Sequence, residues 1–308
     1  MDQSRREFVD ENREKTDPDT GKRYPVRMIL RVAEYSSAAY YGHLRHRQAQ
    51  KRGPKTSLSD EDLALEIKAT MDAIPFHGTG YKKIHGRMSR NLKKKGHSVS
   101  KNRVMRIMKE RNMLNKPSGG TGSSREHDGT LITDAPNVMW GTDGKKFFTR
   151  RDGWCWLFDV IDHFNSEVIG YNVVKYGDRY EATRAVQNAV VHRFGAIEKG
   201  IAQGIVMRND RGSQYISDFY RNSMTHLGIE LSYTWARSPE SNGVIERFHR
   251  TIEEQVFRMY DFETIEEAEK VIREFIDLYN REWMLERLGY LSPNEALCAY
   301  DSAVQKSA

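Results

Sequence analysis

The sequence has little cysteine and no long apolar run. Cys155 and Cys298 are the only two cysteines among 308 residues, and they are not spaced as a CxxC pair. This argues against a disulfide framework and against a zinc site built from cysteines. No stretch approaches the roughly 20 apolar residues that a membrane span needs. The opening residues, MDQSRREFVD, lack the apolar segment of a signal peptide. We therefore predict a cytoplasmic protein that does not associate with membranes.

Acidic residues are nearly absent from one stretch of the chain. Residues 81–116 contain 13 Lys and Arg residues and a single acid, Glu110. Residues 1–135 carry 28 basic against 17 acidic residues, whereas residues 136–308 carry 21 against 26. A solvated pair of helices normally mixes both signs. This charge density therefore favours a surface that faces nucleic-acid phosphates.

Three short amphipathic helices are predicted around this basic stretch. Ser59 and Asp62 resemble a capping box at the start of the first, the second covers residues 80–92, and the third begins near Ser100. The pattern predicts a helix-turn-helix-like DNA-binding domain over residues 59–116. Contacts to phosphates without base readout remain the alternative for each basic residue. The predicted DNA contacts are Lys82, Lys83, Lys93, Lys94, Lys95, Lys101, Arg103, Arg106 and Lys109.

A Gly/Ser-rich stretch separates this domain from a different pattern. Residues 117–135 include PSGGTGSSREHDG and are predicted to be a flexible linker. Residues 136–262 then predict three strands, a helix, a strand, a helix, a strand and a long helix. This order indicates an α/β, RNase H-like fold, which is a mixed five-stranded sheet with flanking helices. Residues 1–58 are assigned to an N-terminal helical or connector segment, and residues 263–308 to a C-terminal helical extension.

Three acidic residues on different predicted elements are placed to meet. Asp143 lies in the first strand, Asp210 at the carboxyl end of the fourth strand, and Glu246 in the long helix. Converging carboxylates repel one another unless cations lie among them, and all-oxygen ligands suit Mg²⁺ or Mn²⁺. Two such ions can activate an attacking oxygen and stabilise a leaving one in phosphoryl transfer. We therefore predict that these three residues are metal ligands and catalytic residues, holding two ions.

Polar residues beside these acids are predicted to contact the nucleic-acid backbone. They flank Asp210 in the chain or follow Glu246 in the long helix. The candidates are Arg208, Arg211, Gln214, Arg247 and Arg250. Other strand aspartates, Asp159 and Asp162, are interpreted as structural, because an isolated Asp in a strand is more often hydrogen-bonded than a metal ligand.

The segments NDRGSQY, ARSPESNGVIERFHRTIEE and YNREWMLERLGYLSPNEAL resemble the integrase-type transposases of bacterial insertion sequences. The resemblance is to the second-reading-frame product of the insertion-sequence three family. It covers about residues 60–300 and includes the spacing of 35 residues between Asp210 and Glu246. It implies a core similar to retroviral integrase and metal-dependent cleavage and strand transfer at terminal inverted repeats. It also implies a homo-oligomer on double-stranded DNA, with the upstream-frame product as a partner or fusion partner.

The sequence also departs from the pattern of this family. TDGK stands where the family often has TDIT, and RNDRG stands where it often has HSDRG. Position 253 is Glu, whereas the family usually has Lys or Arg there, so Arg250 or Arg247 is the candidate substitute. The prediction is a DNA transposase that associates with the bacterial nucleoid when bound to DNA. Two alternatives stay open: a nuclease of the same fold that cuts without joining, and a domesticated DNA-binding protein with an inactive core.

Overall fold

The chain forms two compact units, Met1–Ser57 and Leu58–Ala308. The computed structural model describes residues 2–45, 58–115, 131–233 and 243–307. Most of the predicted linker and the residues SPESN before Glu246 lie outside the described residues. In the described part of the chain, no helix has the length and apolar content to cross a bilayer. All candidate catalytic residues lie in the larger unit.

The smaller unit is helical where it is described. It contains α1 (Asp2–Asn12), α2 (Val26–Val32) and α3 (Ser37–Arg45). Val9, Ile29, Leu30 and Tyr40 form its buried core. The Tyr40 hydroxyl donates to Asp10 Oδ1 at 2.7 Å, which ties α3 to α1.

The larger unit begins with three helices, as the hydrophobic spacing predicts. They are α4 (Asp60–Asp72), α5 (Tyr81–Lys94) and α6 (Lys101–Glu110). The Ser59 side chain accepts a hydrogen bond from the Asp62 N–H at 3.0 Å, so the predicted cap of α4 is confirmed. The buried residues of the three helices form one core, which includes Leu63, Ile67, Ile84, Met88, Val104 and Ile107.

A mixed sheet follows, and its five strands confirm the predicted fold class. The strands are β1 (Met139–Thr149), β2 (Gly153–Asp162), β3 (Val168–Val174), β4 (Val206–Asn209) and β5 (Glu230–Tyr233). Their order in the sheet is β3-β2-β1-β4-β5. β2 is antiparallel to β1 and β3, whereas β4 is parallel to β1 and β5. The central position of β1 places it beside both the second and the fourth strand.

Successive side chains of a strand point to opposite faces of the sheet, so apolar residues lie on both faces. Helices cover both of these apolar faces. The remaining helices are α7 (Arg179–Phe194), α8 (Asp218–Leu227), α9 (Gly243–Ile252), α10 (Ile265–Glu282) and α11 (Pro293–Ser307). Trp140 and Phe158 belong to the core that α7 and α8 share with the sheet. Phe147 and Leu157 belong to the core that α9 and α10 share with it. The C-terminal extension therefore packs on the sheet through α10.

The turn between β2 and β3 buries a histidine. His163 is 1% exposed, and its Nδ1 lies 2.8 Å from the carbonyl oxygen of Leu131. Its Nε2 has no hydrogen-bond partner among the described residues. Burial lowers the pKa of His163 to about 4, because a charged ring would be desolvated there. The ring is therefore neutral at pH 7.

We expect His163 to make stability depend on pH. The unfolded ring takes up a proton below its ordinary pKa of 6.5, whereas the folded ring takes one up only near 4. Since the unfolded state binds more protons between these values, the free energy of unfolding falls as the pH drops from 6.5 to 4, by about 3 kcal/mol at most. Urea denaturation at pH 7 and pH 4.5 measures this fall. His163→Gln should reduce it, and an equal fall in the variant would contradict the assignment.

Candidate active site

Two aspartates lie opposite each other on β1 and β2. The antiparallel register pairs Asp143 with Asp159. Both lie on the α9 side of the sheet, because Phe147 and Leu157, at even spacing from them, pack in that core. Asp159 is fully buried, and the side chain of Asp143 is 29% exposed. Like charges directly opposite each other destabilise a sheet, so this pair needs a donor or a cation nearby.

His249 of α9 lies between the two aspartates. Its Nε2 is 2.6 Å from Asp159 Oδ1, and its Nδ1 is 3.6 Å from Asp143 Oδ2. Burial lowers the pKa of His249, but the two carboxylates outweigh burial and raise it overall. No sequence pattern predicts this contact, because Asp159 and His249 are 90 residues apart. The interpretation of Asp159 as a hydrogen-bonded residue is consistent with this geometry.

Asp210 lies on the other side of Asp143. In the parallel pairing of β1 with β4, Gly141 lies beside Arg208. Asp143 and Asp210 are each two residues further along, so the same register places them beside each other. Neighbouring strands are about 4.8 Å apart. Asp210 is exposed, and its Oδ1 accepts a hydrogen bond from the Gly212 N–H at 2.8 Å. A row of carboxylates thus crosses the sheet from β2 to the end of β4.

The carboxyl group of Asp143 is costly to ionise. Burial is the main cause that raises its pKa to about 6, and the charges of Asp159 and Asp210 raise it further. His249 and the N–H of Gly144, 2.7 Å away, act in the opposite direction. Strongly shifted carboxyls of this kind are common at functional sites. A cation beside Asp143 would relieve the repulsion among these charges.

Glu246 lies on α9, the helix that also carries His249. It is exposed in the first turn of α9, three residues before His249. Residues three apart lie on neighbouring positions of one helix face. Among the described residues, no group of three His, Cys, Asp or Glu side chains is arranged to hold a metal ion. The structure places Asp210 close enough to Asp143 for their charges to interact, whereas Glu246 is exposed on α9, one turn before His249.

The donors around Asp143 fit a hard divalent cation. Asp143, Asp210 and Glu246 offer only carboxylate oxygens, which Mg²⁺ and Mn²⁺ prefer. Of the two cysteines, Cys155 is buried in the core under α9 and α10 and Cys298 is exposed on α11. The observation that supports the fit is the position of Asp143 between two further acids, Asp159 and Asp210, whose charges add to burial in raising its pKa.

Lys145 pairs with the acid at position 253. Its Nζ lies 2.9 Å from the carboxylate of Glu253, and Lys145 is two residues from Asp143 on the same side of β1. Glu253 begins a π-helical turn, Glu253–Phe257, directly after α9. The single long helix that the sequence predicts around Glu246 therefore changes geometry at this point. Such π-turns occur frequently at functional sites.

Several predicted DNA-binding residues are engaged within the chain. Ion pairs join Lys82 to Glu286, Lys95 to Glu66, and both Arg103 and Arg106 to Asp60. Lys83 lies 3.1 Å from the ring centre of Trp283, and burial lowers its pKa to about 7. Arg208 donates to Ser232 Oγ at 2.9 Å. DNA contact by these side chains would compete with the contacts that they make here.

Other predicted DNA-binding residues are exposed. In α5 and α6 these are Lys93, Lys94, Lys101 and Lys109, and around the acids they are Arg211, Arg247 and Arg250. Gln214 is half-buried beside Gly212. The exposed lysines lie at the carboxyl end of α5 and at both ends of α6.

Helix α5 packs against the C-terminal extension. Arg87 forms an ion pair with Glu282 at 2.9 Å, and Arg90 forms one with Glu295 at 2.8 Å. A Cβ atom on Gly86 would lie 2.6 Å from Cγ of Tyr290, so only glycine permits this contact. Acids of the extension therefore match Lys82, Arg87 and Arg90 of α5, whereas Lys83 packs against Trp283.

A cleft of about 430 Å³ lies beside α9. Arg247, Arg250 and Arg287 line it, together with apolar residues such as Val244 and Trp283. Arg287 donates to the carbonyl oxygen of Phe164 at 2.8 Å, which fixes its position. The cleft thus carries three arginines and one acid, Glu286, next to the helix that carries Glu246.

Comparisons with known proteins identify the core. Models of the integrase core domain match residues 133–239 and residues 227–293. Transposase InsD of insertion element IS2, from Escherichia coli, is 27% identical over 277 residues, which are 88% of this chain and 90% of that protein. The uncharacterized 31 kDa protein of insertion element IS600, from Shigella sonnei, is 27% identical over 278 residues, which are 86% and 96%. The matched core residues include Asp143, Asp210 and Glu246.

Two solved structures match this chain with lower similarity. The catalytic core domain of BIV integrase is 16% identical with a TM-score of 0.41, and the match covers 55% of this chain and 99% of that chain. The catalytic domain of the Mos1 mariner transposase is 16% identical with a TM-score of 0.38, and the match covers 46% and 70%.

Proposed function

Because this chain carries an integrase core domain and is homologous to insertion-sequence transposases, we propose that it cuts and joins DNA at the ends of an insertion sequence. Asp143 carries the proposal, since it is a desolvated carboxylate beside Asp210, and Glu246 lies on α9 one turn before His249, which contacts Asp143. The substrate is double-stranded DNA that contains the terminal inverted repeats, and the second substrate is target DNA. Cleavage exposes a 3′-hydroxyl, which then attacks the target strand.

Asp143, Asp210 and Glu246 are the proposed ligands of two Mg²⁺ or Mn²⁺ ions. When bound, such ions activate the attacking oxygen and stabilise the leaving oxygen of an in-line phosphoryl transfer. The turn at Gly212 holds the Asp210 carboxylate through its N–H. Water and then the 3′-hydroxyl are the nucleophiles, so the protein forms no covalent bond with DNA.

The exposed cations define a path for the DNA. We place the phosphate backbone along α9 and the end of β4, against Arg211, Arg247 and Arg250. Residues 59–116 act as the DNA-binding domain and residues 136–262 as the catalytic core. The active form is a homo-oligomer that holds both element ends at the nucleoid, and the upstream-frame product is a further partner or a fusion partner.

A strand-transfer assay tests this function. The purified chain is mixed with Mg²⁺, target DNA and a pre-cut element end, and we expect joined products that disappear with EDTA. An end with a scrambled terminal sequence is the control and should not be joined. Cleavage of uncut ends without joining would favour a nuclease of the same fold. DNA binding with neither reaction would favour a DNA-binding protein with an inactive core.

A further inference from the structure

A buried carboxylate lies behind the proposed metal ligands. Asp159 is 0% exposed and lies directly opposite Asp143 in the sheet. Its Oδ1 is 2.6 Å from His249 Nε2, and its Oδ2 has no hydrogen-bond partner among the described residues. Burying a carboxylate is costly unless it is paired. The contact with His249 therefore determines how much free energy it costs to keep the Asp159 carboxylate buried at this position.

His249 connects this buried acid to the metal side of the sheet. Its side chain is 12% exposed, and the neighbouring Ile245 and Phe248 hold α9 in the core. The short bond to Asp159 fixes one ring nitrogen, and the rigid ring then directs the other nitrogen towards Asp143 Oδ2, 3.6 Å away. One side chain thus spans two carboxylates on neighbouring strands.

We propose that Asp159 and His249 are positioning residues, in which Asp159 orients the His249 ring and His249 holds the Asp143 carboxylate for metal binding. The proposal rests on the proposed function for the location of the metal site. Residues that orient a metal ligand commonly change metal affinity by about 10- to 100-fold. His249 also separates the charge of Asp159 from that of Asp143, so that Asp143 is directed towards Asp210 and the ion.

An apolar double variant tests this role without leaving a buried charge unpaired. Asp159→Leu with His249→Phe replaces both polar groups by side chains of similar size, which is often close to neutral for stability. Mn²⁺ binding to the free protein, followed by the electron paramagnetic resonance signal of unbound Mn²⁺, needs neither DNA nor activity. We expect the dissociation constant to rise about 10- to 100-fold, while the unfolding temperature changes by only a few degrees.

Three further variants keep the test independent of folding problems. His249→Gln retains two N–H donors on a long side chain, and we expect its Mn²⁺ affinity within about threefold of wild type. His249→Asn places its amide near the position of Nδ1 beside Asp143 but is too short to reach Asp159, so Asp159 no longer orients it and the Mn²⁺ affinity should fall about tenfold or more. His192→Gln changes a second histidine–carboxylate contact, 3.4 Å from Glu167, and should leave Mn²⁺ binding unchanged.

The outcomes separate this inference from the proposed function. Wild-type Mn²⁺ affinity in the folded double variant, or in His249→Asn if the double variant does not fold, would overturn the positioning role. Mn²⁺ binding that Asp143→Asn leaves unchanged would overturn it too, because the ion would then lie elsewhere. A wild-type protein that binds Mn²⁺ through Asp143 but neither cuts nor joins DNA would refute the proposed function alone.

Discussion

Replacing Asp143 by asparagine is expected to reduce strand cleavage and joining about a thousandfold or more without lowering stability. The loss follows because metal contacts to the reacting oxygens contribute several kcal/mol to the transition state, and each 1.36 kcal/mol corresponds to a factor of ten. Stability should stay level or rise, because burial and the neighbouring acids already raise the pKa of Asp143 to about 6, so its charged form is unfavourable in the folded protein at pH 7.

Two measurements check this expectation in parallel. Initial rates of cleavage and strand transfer should fall in Asp143→Asn, in Asp210→Asn and in Glu246→Gln. In urea denaturation at pH 7, the free energy of unfolding of Asp143→Asn should be no lower than that of the wild type. Asp218→Asn is the control, because Asp218 is exposed on α8 and pairs with Arg221 of the same helix. Full activity of Asp210→Asn would show that the acids are assigned wrongly.

Removing the exposed lysines of the helical module should weaken DNA binding by on the order of a hundredfold near 50 mM salt. Each phosphate contact releases counterions, so four lost contacts should reduce the slope of log K against log salt by about 3 to 4. The variant changes Lys93, Lys94, Lys101 and Lys109 to Gln. Fluorescence anisotropy with labelled inverted-repeat DNA, measured from 50 to 200 mM salt, gives both quantities.

The matched control removes basic residues that already pair with acids. Lys82, Arg87 and Arg90 lie on α5 and pair with Glu286, Glu282 and Glu295 of the C-terminal extension. Their replacement by Gln should change the salt slope little, because these charges face carboxylates rather than DNA. It should lower the unfolding temperature instead. An equal loss of DNA affinity in both variants would mean that α5 leaves the extension to bind DNA.

The local patterns of the sequence predicted the fold and part of the site. Over residues 59–262, alternating and helical apolar spacing placed the strands and helices within a few residues, because these periods reflect which side of an element is buried. In residues 1–58 it placed none of the three helices α1, α2 and α3. The same order placed Asp143 in β1 and Asp210 just after β4, whose parallel pairing brings them together. The charge density of residues 81–116 indicated a surface for nucleic acid, which stays a prediction for each lysine.

Only the tertiary structure decided which distant side chains meet. The register of β1 and β2 pairs Asp143 with Asp159, and packing of α9 places His249 between them. The packing of α5 on the C-terminal extension brings Lys82 to Glu286. The packing of α9 on β1 brings Glu253, directly after α9, to Lys145. The sequence gives the charge of each side chain, but only tertiary packing decides which opposite charge lies beside it. These contacts depend on strand register and helix orientation, which no local spacing determines.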